Sequence, residues 1–296
     1  MNHTFVTTIS SEIAQKLKTE LEESGFEIKN PPYTLFSAQK NGISVVFYTS
    51  GRLVVQGKNK DDFIKYYLEP EILKSFDYSY SELQIDTTPR IGVDESGKGD
   101  FFGPLCVAAL YADCNGINKL HKIGVKDSKK LSDPTIKKLA YELKNSFTYK
   151  SIIISPRKYN ELYENFKNLN YLLAWGHATV IEALSKETKC KKAIIDKFAN
   201  ECVVASAIKN KGLDIDLTQI HGGERDLVVA GASILARNDF LDGLDSMKFK
   251  YNFTFPKGAS QAVIDAGNKF AKQFSKDELI NVSKVHFKTT NELSGN

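Results

Sequence analysis

Residues 91–104 read IGVDESGKGDFFGP. An apolar run, Ile91 to Val93, leads straight into two adjacent carboxylates, Asp94 and Glu95, and then into Ser96-Gly97-Lys98-Gly99. Three readings compete. Gly92 to Lys98 fits the spacing of a phosphate-binding loop, but Gly99 stands where such a loop needs Ser or Thr to hold magnesium. It would also turn two carboxylates toward anionic phosphates, so this reading is set aside. The second reading, a solvated turn between two strands, stays open on this stretch alone. The third is a metal site. Asp and Glu are hard oxygen ligands suited to Mg2+ or Mn2+. A buried strand has little reason to end in paired carboxylates unless something positive faces them. Neighbours on a regular strand point to opposite faces, so both acids are expected to serve one site only if the strand ends or bulges there. The glycines would let backbone amides approach a phosphate, and Lys98 adds positive charge.

Further acids decide between the last two. The run AIIDKFA, 193–199, puts Asp196 at the end of an apolar strand, where it could also cap a turn. The run HGGERDLVVAGASILAR, 221–237, puts Glu224 and Asp226 just before a helix. Asp226 is the better N-cap candidate. That leaves Glu224 free to reach a site, with Asp226 as its rival. Carboxylates gathered from strand ends and one helix start make an oxygen cage for divalent metal, suited to in-line attack on a phosphodiester.

The 296 residues are 42% hydrophobic and 26% charged, with a formal net charge of +4. This is an ordinary globular balance, compatible with nucleic acid as a partner but not specific for it. No apolar run approaches a membrane span, and MNHTFVTTISSEIAQKLK lacks the pattern of a secretory signal. A cytoplasmic protein is expected. The four cysteines form no C-x-x-C pair, so a zinc ribbon is not expected; they should be free and mostly buried.

The chain divides by pattern. Residues 1–80 read as a small α+β domain. Ile13, Leu17 and Leu21 mark an amphipathic helix capped by Ser10 or Ser11 and ended by Gly25, and three short strands follow, separated by Asn-Gly and Ser-Gly turns. A helix from about Asp61 closes the domain. Residues 81–89 read as a linker ending at Pro89, and 90–296 as a larger α/β domain on a mixed sheet. Strands are expected at 90–95, 103–112, 149–156 and 191–198. Helices are expected at 131–147, with Ser132 or Asp133 as cap, at 170–187, at 226–244 and at 261–274.

With these residues in view, the chain resembles the type 2 ribonucleases H, and within them the ribonuclease HIII branch. The pieces that carry the resemblance are IGVDESGKGDFFGPL, VKDSKKLSD, NYLLAWGHATVIEAL, AIIDKFA, VVAGASILAR, FPKGAS and VHFKTT, in order through 91 to about 290. Gly-Lys-Gly after the acidic pair is closer to HIII than to its sister HII, which typically has Gly-Arg-Gly. The resemblance implies a ribonuclease H-like mixed sheet flanked by helices, preceded by a small TATA-binding-protein-like domain that helps hold substrate. It implies metal-binding catalytic carboxylates at Asp94, Glu95, Asp196 and Glu224. It also implies substrate contacts from Ser96, Gly97, Lys98 and Gly99 and from Asp127, Ser128 and Lys129, the last three either touching phosphates or bracing the loop. The implied activity is endonucleolytic cleavage of the RNA strand of RNA–DNA hybrids with Mg2+ or Mn2+, leaving 5′-phosphate and 3′-hydroxyl ends, by a monomer that binds no membrane. Incision at single embedded ribonucleotides, as in HII, is the nearest alternative; a hybrid-binding protein without catalysis is the next.

Other polar residues read more plainly. His177 falls on the buried spacing of its helix and is expected to be a core histidine with one hydrogen bond. Asp100 is expected to brace its loop and Trp175 to sit in the core. His221 precedes Glu224 and could lie near the site; His286 is given no chemistry. Tyr33, Phe36, Phe47, Tyr48 and Lys58 form either an aromatic and basic face for a duplex or, for the aromatics, the small domain's own core.

Overall fold

The structure is a computed structural model that describes residues 4–75, 85–125, 128–198 and 200–293; for Lys130 and Glu224 it describes the backbone alone. The chain separates into two compact units, Met1–Asp86 and Thr87–Asn296. Among the described residues no helix is long and apolar enough to cross a membrane.

The first unit runs β1 (Thr4–Thr8), α1 (Ser11–Glu23), β2 (Glu27–Lys29), β3 (Thr34–Lys40), β4 (Ile43–Tyr48) and β5 (Arg52–Gly57). It closes with α2 (Lys60–Phe63), which widens into a π-type helix over Ile64–Leu73. The antiparallel sheet has the order β1-β5-β4-β3-β2. Ser10 starts α1 by accepting a hydrogen bond from Ile13 N. The buried stripe is Ala14, Leu17 and Leu21, and Ile13 faces solvent instead, because the helix turns the i, i+3, i+7 face inward. These side chains pack on Phe36, Val45, Phe47, Leu53 and Val55 from the sheet and on Ile64 and Leu68. Phe36 and Phe47 are therefore core, while Tyr33 stays 84% exposed. Asp61 does not cap the closing helix; Asn59 precedes it and Asp61 lies inside its first turn. The sheet's other face presents the row Val6, Val54 and Val46, one residue from each of three adjacent strands.

The second unit has β6 (Arg90–Ser96), β7 (Leu105–Ala112), α3 (Cys114–Lys122), α4 (Asp133–Ser146), β8 (Thr148–Ile154), α5 (Pro156–Phe166) and α6 (Leu169–Thr188). Then come β9 (Lys192–Asp196), α7 (Glu201–Asn210), β10 (Asp216–Ile220), α8 (Leu227–Tyr251) and α9 (Gln261–Phe274). The sheet order is β10-β9-β6-β7-β8, with β10, β9 and β6 parallel and β6, β7 and β8 antiparallel. Ser132 caps α4 through Thr135 N, and Ile136, Leu139, Ala140 and Leu143 are its buried stripe. Ile91, Val93, Val107 and Ala109 pack on α6 and α7 on one face. The opposite face of β6 carries α8, most of whose first half is buried. Of the four cysteines, all unpaired, only Cys106 is buried, so the expectation of mostly buried thiols does not hold.

Candidate active site

The site lies where β6 outruns β9. The two strands pair in parallel from Ile91↔Ala193 to Val93↔Ile195. The next residue on each is acidic, Asp94 on β6 and Asp196 at the end of β9. Of the two alternatives expected from the sequence, a bulge or a strand end, β6 shows no bulge; it runs one residue past the pair and ends at Ser96. Its pairing with β7 stays regular through Asp94↔Ala108, Glu95↔Val107 and Ser96↔Cys106. Alternation therefore sends Asp94 toward α8 and Glu95 toward α6. Both still line one cavity of about 480 Å³, because the β9 side of β6 is open beyond Val93. The cavity brings together Asp94, Glu95, Ser96, Gly97, Lys98, Gly99, Ser128, Lys129 and Asp196 from the sequence reading. Asp127 lies outside the described residues. So does the side chain of Glu224, whose backbone sits in the short 3-10 turn Gly223–Arg225.

Each acid is held differently. Asp94 Oδ1 accepts from Glu95 N at 2.8 Å. Ser233 on α8 also hydrogen-bonds Asp94, and Ser128 Oγ meets Ser233 Oγ at 2.7 Å. Ser128, itself buried, thus braces Asp94 through Ser233. Burial, with the neighbouring charge of Glu95, pushes the Asp94 carboxyl up to about 7. Glu95 Oε2 is 3.0 Å from His177 Nε2, and Oε1 is 3.4 Å from Lys98 Nζ. Burial works against the Glu95 charge, but the His177 hydrogen bond and the Lys98 ammonium outweigh it and hold the carboxyl below its usual range. Asp196 Oδ1 accepts from Gly223 N at 3.0 Å. Only glycine fits at 223, since a Cβ there would lie 2.9 Å from the Asp196 Cα.

Asp226 is fully employed elsewhere. It caps α8 by accepting from Val228 N at 2.8 Å and Val229 N at 3.1 Å. Its other oxygen takes Arg90 Nε at 2.8 Å, in a pair whose side chains are only 3% and 10% exposed.

The Gly-Lys-Gly loop is set by close packing. Gly97 has φ +88°, and a Cβ on it would lie 2.2 Å from Pro104 O. Beyond it, Asp100 Oδ1 accepts from Gly258 N at 2.6 Å, so Asp100 braces the loop. The buried Lys284 ammonium donates to Asp100 O at 2.9 Å and Gly103 O at 2.7 Å. Its burial lowers its pKa to about 7.

The remaining sequence candidates separate. His221 is exposed. His286 stacks on Tyr163 with ring centroids 3.9 Å apart. Trp175 is half-buried against Phe166 at the edge of the core around Leu172 and Leu173, where it also lines an apolar groove. Sequence reasoning missed Ser233, Lys197, Phe198 and Arg237, which also line the cavity. Ser233 and Arg237 belong to the stretch VVAGASILAR, but helical spacing alone marks them only as parts of a tightly packed helix.

Among the described residues no three acidic, histidine or cysteine side chains close on a single point. The donor set nevertheless suits a divalent cation. Asp94, Glu95 and Asp196 line one cavity together with Asp100, and among the described residues Asp94 makes no ion pair, its hydrogen bonds coming from Glu95 N and Ser233. A half-buried carboxyl beside a second carboxylate is relieved by positive charge.

Comparison with known proteins agrees with this geometry. The family model described as Ribonuclease HII matches residues 91–290. The ribonuclease HIII of Protochlamydia amoebophila is 52% identical over 291 residues, covering 98% of this chain and 97% of its relative. The chain belongs to the ribonuclease HIII family. The ribonuclease HIII of Chlamydia felis is 46% identical, covering 99% and 98% of the two chains. Bst-RNase HIII in complex with Mn2+ matches in fold with a TM-score of 0.69 at 24% identity, covering 98% of this chain and 97% of that one. Aquifex aeolicus RNase H3 matches at 0.57 and 29%, covering 95% and 99%. Residues 4–78 match a separate model, a domain of unknown function (DUF3378). The expectation of a ribonuclease HIII, with its mixed α/β catalytic domain behind a small antiparallel one, is thereby borne out.

Proposed function

We propose that this ribonuclease HIII cleaves the RNA strand of RNA–DNA hybrids endonucleolytically, leaving 5′-phosphate and 3′-hydroxyl ends. The observation that carries the reading is one cavity lined by Asp94, Glu95 and Asp196 together with Ser96–Gly99 and four cationic side chains, Lys98, Lys129, Lys197 and Arg237. Acids that suit a divalent cation and cations that suit phosphates occupy the same walls, as phosphodiester hydrolysis requires. Asp94, Glu95, Asp196 and Glu224 would hold Mg2+ or Mn2+. Support for Glu224 over Asp226 comes from the cap and the Arg90 pair that already use both Asp226 oxygens. When bound there, a divalent ion supplies a more acidic water and offsets charge on the phosphate.

The chain's own residues do the rest. The glycine-framed amides at 97–99 can approach a ribose-phosphate backbone closely, which is how a strand is told by its 2′-hydroxyl rather than its bases. Lys98 can leave Glu95 for a phosphate, since its side chain is 36% exposed. Ser128 acts through Ser233 to fix Asp94, so within the Asp127-Ser128-Lys129 motif we assign bracing to Ser128 and phosphate contact to the exposed Lys129. The open sheet face of the N-terminal unit is assigned to substrate holding, with Tyr33, Tyr48 and Lys58 as the exposed candidates. We read the protein as a monomer and assign it to the cytoplasm, the compartment being supported by its four unpaired cysteines.

An end-labelled RNA–DNA hybrid tests the chemistry. Cleavage should require Mg2+ or Mn2+, stop in EDTA, and give RNA fragments with 5′-phosphates. Undiminished cleavage in EDTA, or 2′,3′-cyclic phosphate ends, would contradict it.

A further inference from the structure

His177 is completely buried in α6, among Leu173, Ala174, Ala178 and Ile181. Among the described residues its Nδ1 has no hydrogen-bond partner. A buried polar atom without a partner is costly, a cost that a leucine in this apolar helix would avoid. The histidine is therefore held for its other nitrogen. Nε2 meets Glu95 Oε2 at 3.0 Å, and because an ionised carboxylate only accepts, Nε2 carries the proton.

The contact is one side of a closed ring. Glu95 Oε1 lies 3.4 Å from Lys98 Nζ. That ammonium stands 5.1 Å from the centre of the Phe198 ring. Phe198 in turn packs on the His177 imidazole with ring centroids 4.8 Å apart. The two halves of Glu95 are unequal in this ring. Oε2 is tied to a fully buried group that cannot leave, whereas Oε1 faces a lysine that lines the cavity and can swing to a phosphate. We propose that His177 is a positioning residue for Glu95: by fixing Oε2 it commits the carboxylate to one rotamer and leaves Oε1 as the oxygen offered to a divalent cation. Phe198 locks the imidazole from the cavity side. The inference rests on Glu95 being a metal ligand, as proposed above. Groups that hold a ligating side chain in place commonly set metal affinity as strongly as the ligands do.

The test uses the full chain without substrate. Mn2+ affinity is read by EPR titration for wild type, His177→Leu, His177→Gln, Glu95→Gln and the Leu/Gln double variant, with thermal unfolding recorded beside each. Leucine keeps the apolar packing and removes the donor. Glutamine restores an N–H near the Nε2 position. His177→Leu should weaken Mn2+ binding by about 10-fold or more, His177→Gln should recover most of that loss, and His177→Leu should add nothing in the Glu95→Gln background. A folded His177→Leu protein with wild-type Mn2+ affinity would overturn the inference, as would an equal loss in the Glu95→Gln background. Should Glu95→Gln itself leave Mn2+ affinity unchanged, the reading of Glu95 as a ligand fails first, and the inference with it. If His177→Leu does not fold, histidine 15N spectra of the wild type decide. A proton on Nε2, with a signal that moves on Mg2+ addition, supports the assignment; a proton on Nδ1 alone rejects it.

Discussion

Both units are built on a five-stranded sheet, yet they treat polar groups in opposite ways. In the N-terminal unit the core cluster is wholly apolar, and Ser37, Lys60 and Glu69 are the unit's only buried polar residues among those described. The sheet's other face carries its valine row beside polar side chains such as Gln39, Ser44 and Gln56. In the larger unit Arg90, Ser128, His177, Ser233, Asp239 and Lys284 are all buried. Each of these must find a specific partner, because a buried polar group left unpaired is expensive. Arg90 takes Asp226, Ser128 takes Ser233, His177 takes Glu95 and Lys144 reaches Asp239. A chemical site is thus fixed by buried polar pairings that constrain sequence sharply. A holding surface is fixed only by leaving a sheet face uncovered.

Exchanging charge at the two neighbouring acids of the α8 start should give the largest effects and break this comparison if they fail. Glu224→Gln should lower kcat on the order of 10³-fold, about 4 kcal/mol of barrier, with the melting temperature unchanged. Asp226→Asn keeps a good cap but takes the carboxylate from the buried Arg90 guanidinium, so stability should fall by about 3–5 kcal/mol, read by urea denaturation. If Asp226→Asn is stable and inactive while Glu224→Gln is active, the assignment of the fourth carboxylate is reversed. In the other unit, Phe47→Ala should cost about 3–5 kcal/mol of local stability. Hydrogen exchange would show it confined to residues 4–75, with Mn2+ affinity untouched.

A smaller effect concerns pH. Burial lowers the Lys284 pKa to about 7, well below the ordinary lysine value of 10.5. Between those two values the unfolded chain holds a proton that the folded one has released, so this lysine makes stability rise with pH across that window and adds no slope below it or above it. Lys284→Met should flatten the rise, measured as unfolding free energy at pH 7 and pH 9. It also removes the donor to Asp100 O and Gly103 O, so a loosened loop after Gly99 should accompany the change. The smallest effect belongs to Lys98→Ala, which should weaken hybrid binding and reduce the salt slope of that binding by about 1. An unchanged slope would mean that Lys98 serves Glu95 alone.

The difference between the units also explains what the sequence disclosed. Apolar periodicity located α1, α4, α6, α9 and the strands β3 to β9, because each carries a face buried against a large neighbour. It passed over β1, β2 and β10, which are edge or near-edge strands with mixed burial, and over α3, α5 and α7, which are short and largely solvated. Asp94, Glu95 and Asp196 were legible because carboxylates at the ends of apolar strands have few structural uses. Their common cavity was not legible as drawn from sequence. No bulge turns the pair to one side; β9 simply stops at Asp196 and uncovers β6, a fact of pairing length between segments about a hundred residues apart. Ser233 was hidden for a similar reason. Its partner Ser128 is 105 positions away, and on α8 a serine among alanines reads as packing. Phe36 and Phe47 show the converse, since aromatic residues that could have faced a duplex are needed to fill the small unit's own core.

The most direct test of the central claim is a cleavage panel of two substrates, a continuous RNA–DNA hybrid and duplex DNA with one embedded ribonucleotide. Each is incubated with Mg2+ or Mn2+, with wild type and with Asp94→Asn. Metal-dependent cutting of the hybrid, little incision at the single ribonucleotide, and loss of cutting in Asp94→Asn with hybrid binding retained are expected. Efficient incision at the single ribonucleotide, or a hybrid-cleaving Asp94→Asn protein, would contradict that claim.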